Sequence, residues 1–188
     1  AAARMVSMTP SEVLARLNDR FRLLSGGRRR QRQRTLEATL DWSYDLLEPD
    51  EQRVFRSLGV FVGGFDVDAV ASVARIDRHE ALDTIEALVA KSLVNRLAVD
   101  DAVRFGLYET VKAYAEDRLT RAGEAATARN CHVAHFHELA MIKGRTMAAD
   151  IRLGHRLRHD KSNIALAFDW AAGNDDWVLA GEVLLGPG

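Results

Sequence analysis

Arg104–Leu119, RFGLYETVKAYAEDRL, is the stretch whose reading decides the fold. Val103, Arg104 and Phe105 read as the end of a short strand. From about Glu109 the chain turns helical, with Val111, Ala115, Arg118 and Leu119 at helical spacing and Tyr114 beside them. Just upstream, Leu93–Val99 and Ala102–Phe105 read as two short strands around Asp100-Asp101, a hairpin with an acidic tip. Helices precede the hairpin. Arg78–Leu93 carries Leu82, Ile85, Leu88 and Val89 on one stripe. Asp66 caps a short helix running to Ala74. Glu51–Val60 turns Val54, Phe55 and Leu58 inward. Thr35–Leu47 repeats Leu36, Leu40, Tyr44 and Leu47, with Trp42 off that stripe, and Glu48-Pro49-Asp50 breaks it. Three to four helices, a hairpin and a further helix follow the order of a winged-helix domain.

On the N-terminal side, Thr9-Pro10-Ser11-Glu12 is a helix start. Thr9 caps, Pro10 suits the first helical position and Glu12 closes a capping box. Val13, Leu14, Leu17 and Phe21 form its apolar side, and Ser25-Gly26-Gly27 ends it. On the C-terminal side, Gly123 stops the helix of the opening stretch, and everything from Ala128 reads as helix: Cys131–Lys143, Ile151–Trp170 with a break near Gly154, and Asp176–Leu185. Antiparallel helices of this kind are expected to be the first turns of a helical-repeat solenoid. The sequence ends at Gly186-Pro187-Gly188 with no partner for the last helix, which reads as part of a longer chain. The expected fold is therefore mainly α: a winged helix with a small β-hairpin, followed by antiparallel helical-repeat (TPR-like) helices.

The 188 residues suffice for one sizeable core or two small ones. With 47% hydrophobic and 28% charged residues the composition is that of a soluble globular protein. No apolar run approaches the ~20 residues that cross a bilayer. Ala1-Ala2-Ala3-Arg4-Met5 lacks the order of a signal peptide. A single cysteine, Cys131, excludes an internal disulfide framework and suits a cytoplasmic setting. The net charge of −1 hides an uneven spread: residues 1–34 hold nine arginines against Glu12 and Asp19, whereas residues 35–127 hold ten basic and eighteen acidic residues. A basic arm precedes an acidic domain.

Few residues carry recognisable chemistry. Arg28, Arg29, Arg30, Arg32 and Arg34, within RRRQRQR, read either as a phosphate or nucleic-acid contact or as a solvated interdomain linker, and charge runs favour the linker. The recognition-helix slot carries Arg78 and Lys91 against Glu80, Asp83 and Glu86, and the wing tip is acidic, so phosphate would be repelled. Cys131 and His135 share a helix face, as metal ligands can, but no second cluster with ligand spacing completes a zinc site. His155 and His159 lie among Arg152, Arg156 and Arg158, which disfavours metal. Trp42 and Trp170 read as core residues. No hydrolytic or redox constellation has a recognisable context.

Several segments taken in order, AAAR, LARLNDRFRLLSGG, TLEATLDWSYDLLEPDEQRVFRSLGVFVGGFDVDA, LVAKSLV, RFGLYETVKAYAEDRL and DKSNIALAFDW, resemble large bacterial STAND-type signal-transduction ATPases. These are related to NB-ARC proteins and are often described as LuxR-family or adenylate-cyclase-linked transcriptional regulators of actinobacteria. The resemblance implies that residues 1–34 end a small helical domain and a basic linker, that 35–122 form the winged helix, and that 123–188 begin a helical-repeat sensor region. In such proteins a P-loop domain precedes and holds ATP or ADP. No G-x-x-x-x-G-K-[ST] occurs here, so this chain is expected to bind no nucleotide cofactor and to catalyse nothing. The family's Met-His-Asp-like motif, whose histidine touches the ADP phosphate, falls on Leu107-Tyr108-Glu109. Tyr108 replaces that histidine, and Tyr108 with Glu109 is either a weakened nucleotide sensor or a buried aromatic closing the hairpin. The implied role is regulatory: the winged helix packs against its own nucleotide-binding domain or another protein. DNA contact then falls to distant domains or to the basic arm. The alternative is a DNA-binding winged-helix protein using Arg28–Arg34.

Overall fold

The computed structural model describes residues 37–99, 102–145 and 158–185. The chain divides into two units, Ala1–Asp45 and Leu46–Gly188. In the first, the described part is a helix over 37–45 (α1). Trp42 on α1 is 66% exposed, so the expected core position is corrected. It stands off the Leu36–Leu40–Tyr44 stripe, and the face it occupies is not an apolar one.

The second unit begins where proline both breaks and starts helix. Pro49–Ser57 (α2) opens two residues before the expected Glu51, because Pro49 occupies the first turn and Glu48 caps it. The cap is reciprocal: Glu51 Oε2 accepts from the Glu48 N–H at 2.9 Å. A single 3-10 turn, Leu58–Val60, follows. Asp66 caps Val67–Ala74 (α3) by accepting from the Ala69 N–H, as the sequence implies. Arg75 leaves α3 in the left-handed region (φ 57°), and Asp77 starts Arg78–Ala90 (α4). The N–H groups of Glu80 and His79 both donate to the Asp77 carboxylate and hold its pKa below the usual range.

Asn95–Val99 (β1) and Ala102–Gly106 (β2) pair antiparallel, with Leu97 opposite Arg104 and Arg96 opposite Phe105. Phe65 adds a one-residue bridge on the far edge of β2, exchanging both main-chain hydrogen bonds with Phe105 at 2.9 and 2.8 Å. Glu109–Arg121 (α5) completes the winged helix. Its core is Val54, Phe55, Leu58, Phe65, Val70, Ile85, Leu88 and Phe105, all fully buried.

Gly123 (φ 73°) reverses the chain into Ala125–Arg145 (α6), which starts well before the expected Cys131 because its first turns are polar and carry no apolar stripe. Lys161–Gly173 (α7) and Trp177–Leu185 (α8) follow. Phe136 on α6, Ala167 on α7 and Ala180 on α8 are fully buried, small residues letting α7 and α8 approach closely. α6 also packs along α3 and the 3-10 turn, so the winged helix and these helices share one compact unit.

Gly59 sets the closest approach inside the winged helix. A Cβ there would lie 2.8 Å from the Glu116 main-chain nitrogen and 3.1 Å from Ala115 C. Gly59→Ala is therefore expected to cost about 1–3 kcal/mol by forcing α5 off the 3-10 turn. Gly181→Ala on α8, where a Cβ meets nothing within 4 Å, should gain up to about 1 kcal/mol. Urea unfolding of both variants beside wild type checks the contrast.

Candidate functional site: the junction beneath the hairpin

Strand alternation gives the hairpin two faces, and both are covered at its base, while Arg96, Ala98 and Val103 stay exposed on the Phe105 face. Phe105 and Val103 point toward α4, where Phe105 enters the winged-helix core. Arg104 points the other way, beneath the start of α7, with its side chain 3% exposed. A lone buried guanidinium would be prohibitive, and Asp160, 5% exposed, answers it. The Arg104 guanidinium donates to Asp160 Oδ2 at 3.2 Å and to Oδ1 at 2.5 Å, a two-pronged pair.

Around the pair lies a network of polar groups, although Asn95 Oδ1, on the same face of the hairpin, is buried without a partner. Asn163, one helical turn past Asp160, is fully buried. Its Nδ2 donates to the Gly64 carbonyl at 2.9 Å and to Asp160 Oδ1 at 3.2 Å, and its Oδ1 accepts from the Val62 N–H at 2.7 Å. Arg104 also reaches the Gly64 carbonyl at 3.4 Å. That carbonyl is turned inward by Gly63 (φ 79°) and Gly64 (φ 99°), a conformation that side chains other than glycine's strain to adopt. His132 of α6 lies 3.5 Å from Asn163 Oδ1 and packs between Phe61 and Phe136. Burial pushes its pKa down to about 4; the Asn163 contact and Asp160 oppose that shift, and nearby His135 adds to it. At neutral pH it is an uncharged ring. A second link is peripheral: Arg56 on α2 makes a two-pronged pair with Glu124, just before α6, at 3.0 and 2.7 Å.

The recognition helix presents a different chemistry. Arg78 pairs with Asp68 at 3.0 Å, Lys91 with Glu51 at 2.5 Å and Arg96 with Glu86 at 3.8 Å, while Asp77, Glu80 and Asp83 are exposed. Arg75 stands exposed in the turn between α3 and α4.

The residues expected to carry chemistry are not brought together. Arg28, Arg29, Arg30, Arg32 and Arg34 lie outside the described residues. Tyr108 is 65% exposed just before α5 and makes no side-chain cap, so it is not a buried aromatic closing the hairpin. Glu109, also exposed, puts a carboxylate in the first turn of α5. Tyr108 thus offers one hydroxyl, and Glu109 a carboxylate that complements the positive end of the α5 dipole. The α6 side chains diverge: His132 to Asn163, His135 Nδ1 to Ser72 at 3.0 Å, His137 Nε2 to Glu182 at 2.7 Å. Among the described residues no three His, Cys, Asp or Glu side chains converge as for a metal. Trp170 is half-buried rather than core: its Nε1 donates to Asn130 and Arg129 stacks on its ring, since an indole needs an outlet for its N–H. No helix among the described residues is long and apolar enough to cross a membrane.

Residues 47–120 match the family model of a winged helix-turn-helix domain, the class of domain that α2 through α5 form. Along most of its length the chain is similar to proteins named as transcriptional regulators. It is 42% identical over 183 residues to a protein of Mycobacterium tuberculosis named as an HTH-type transcriptional regulator, covering 93% of this chain and 20% of that protein. The regulatory protein AfsR of Streptomyces coelicolor is 29% identical over 165 residues, covering 84% of this chain and 16% of AfsR. A second M. tuberculosis protein, without a stated activity, is 37% identical over 131 residues, covering 66% of this chain and 33% of that one. The chain thus spans about a fifth of the length of the HTH-type regulator it matches. No solved structure matches it.

Removing one partner of the buried pair leaves the other charged and dry. Asp160→Leu and Arg104→Met are each expected to cost about 3–5 kcal/mol, and the double variant Arg104→Met/Asp160→Leu far less than their sum. A double-mutant cycle by urea unfolding measures the coupling. His132 adds a pH dependence with a definite sign. Its folded pKa is depressed from 6.5 to about 4, so the unfolded chain binds more protons in between. Its contribution is complete above pH 6.5 and is lost as pH falls toward 4, amounting to about 3 kcal/mol. Stability measured across that window should fall more steeply in wild type than in His132→Phe.

Proposed function

We propose that this chain is a non-catalytic, regulatory part of a larger transcriptional regulator, in which the winged helix works by packing against protein and not by reading bases. One observation carries the reading: the cations flanking the recognition helix, Arg78, Lys91 and Arg96, are each engaged by a carboxylate, and further carboxylates stand exposed beside them. Binding to DNA draws its affinity from lysines and arginines that neutralise phosphate and release counterions. At Arg78, Lys91 and Arg96 phosphate would have to compete with a carboxylate, while Arg75, exposed in the turn before α4, stands outside these pairs. The regulators to which the chain is similar support the regulatory half of the reading.

In this reading the winged helix meets a nucleotide-binding domain of the same polypeptide, or another protein. ATP or ADP would be held by that domain and not by residues of this chain. The helices α6–α8 begin a TPR-like sensor array, and the Arg104–Asp160 junction makes the winged helix follow them when a signal shifts them. Tyr108, exposed at the strand-to-helix junction, would in this reading touch the nucleotide domain's surface.

A second reading, DNA binding, is favoured by the winged helix-turn-helix architecture itself and by the HTH in the mycobacterial relative's name. In that case the basic arm Arg28–Arg34 supplies the phosphate contacts.

A salt titration of duplex DNA binding separates the two. The chain is expected to bind weakly and without sequence preference at physiological salt. Changing the five arginines of Arg28–Arg34 to glutamine should remove what binding there is and lower the salt slope by up to about 4. Sequence-selective binding that survives in the variant would overturn the packing reading.

A further inference from the structure

The cleft between recognition helix and wing has a volume of about 450 Å³, within the range of clefts that seat a ligand or an inserted side chain. Its floor is apolar, formed by Leu82 of α4 with Val103 and Phe105 of β2. Val103 is 70% exposed, so it stands at the open side of the cleft and not in the core. Asp66, Asp68 and Glu86 rim it. The two guanidiniums in its lining, Arg78 and Arg96, are those held by Asp68 and Glu86, which leaves three carboxylates against two cations. Past the rim, α4 exposes Glu80 and Asp83.

We infer that this cleft docks a basic protein segment, which lays an apolar side chain on Val103 and Leu82 and sets a lysine or arginine against Asp68 and Glu86. The inference deepens the packing function proposed above and rests on it. Charge complementarity selects the occupant. A cationic segment gains from the carboxylate excess that opposes DNA. An apolar anchor gains from covering Val103, whereas a phosphodiester backbone gains nothing there. The rim pairs are exposed and individually weak, so an incoming cation can share Asp68 or Glu86 at little cost.

The test uses the full chain and three probes: a short amphipathic helical peptide of leucine and lysine, the same peptide with glutamate for lysine, and a duplex DNA. Affinities are read by fluorescence anisotropy, and the contact surface by amide chemical-shift changes. The leucine–lysine peptide is expected to bind, the glutamate peptide not to, with shifts concentrated on Arg78–Ala90 and Ala102–Gly106. Val103→Asp, an exposed position whose folding is checked by its Tm, should weaken the peptide about tenfold. Asp68→Asn with Glu86→Gln should weaken it similarly and, by freeing Arg78 and Arg96, raise affinity for the duplex. If the peptide's affinity is unchanged in both variants, if its shifts map elsewhere, or if it does not bind, the cleft assignment fails while the packing function stands. Sequence-selective duplex binding by wild type, with shifts on α4, overturns both.

Discussion

The structure turns on two opposite charges placed where water cannot reach them. Arg104 and Asp160 lie 56 residues apart in the chain and almost completely buried. Neither could stay ionised there alone. Together they recover part of the desolvation cost through two hydrogen bonds, and Asn163 and the Gly64 carbonyl satisfy what remains. Such a pair adds little net stability compared with well-packed apolar residues, but it is intolerant of misplacement. A shift of α7 by one residue would carry Asp160 away from Arg104 and leave both bare. The ion pair therefore fixes the register of α7 on the hairpin, and the neighbouring choices follow from it. Glycine is needed at 63 and 64 to turn a carbonyl inward. An amide is needed at 163 because it donates and accepts at once. A ring that is neutral at ordinary pH is needed at 132, since a further cation would compete for Asp160.

The hairpin is gripped from both sides at its base. Here the face carrying Phe105 closes the winged-helix core, and the face carrying Arg104 is closed by α7. The Arg56–Glu124 pair and the α3–α6 contact add two more attachments on other sides. These attachments join α6 and α7 to the winged helix within one compact unit.

Local chemistry was legible and distant pairing was not. The Asp66 cap, the glycine stop at 123 and the helical stripes each depend on neighbours a few residues away, and the hairpin was placed to within two residues. The order of these elements sufficed for the winged helix. The junction escaped notice because its members, Val62–Gly64, Arg104, His132, Asp160 and Asn163, are scattered over about 100 residues, and each has a bland local reading. Two signals were present. A Gly-Gly pair in an otherwise apolar run demands an unusual backbone. Asp160 and Asn163, three apart on a helix whose other inward residues are alanines, put polar groups on a face meant for burial. Tyr108 and Trp42 failed in the opposite direction. Aromatic character suggests burial, but burial depends on which face a neighbour covers, and nothing in the local sequence states that.

Architecture and surface point to different partners, and the surface carries the chemistry. A winged helix-turn-helix fixes only where a helix and a wing stand relative to each other. What such a frame can grip depends on the charge and shape it presents. If the frame were selected to hold phosphate, arginines beside the recognition helix would be left free, because pairing them with carboxylates lowers affinity for every DNA sequence alike. Arg78 and Arg96 are instead held by Asp68 and Glu86 across the cleft, and the apolar floor between them is left open. The same two pairs brace α4 against α3 and the hairpin. Arg78 and Arg96 are thus engaged within the chain, and around the apolar patch the rim carries one more carboxylate than cation.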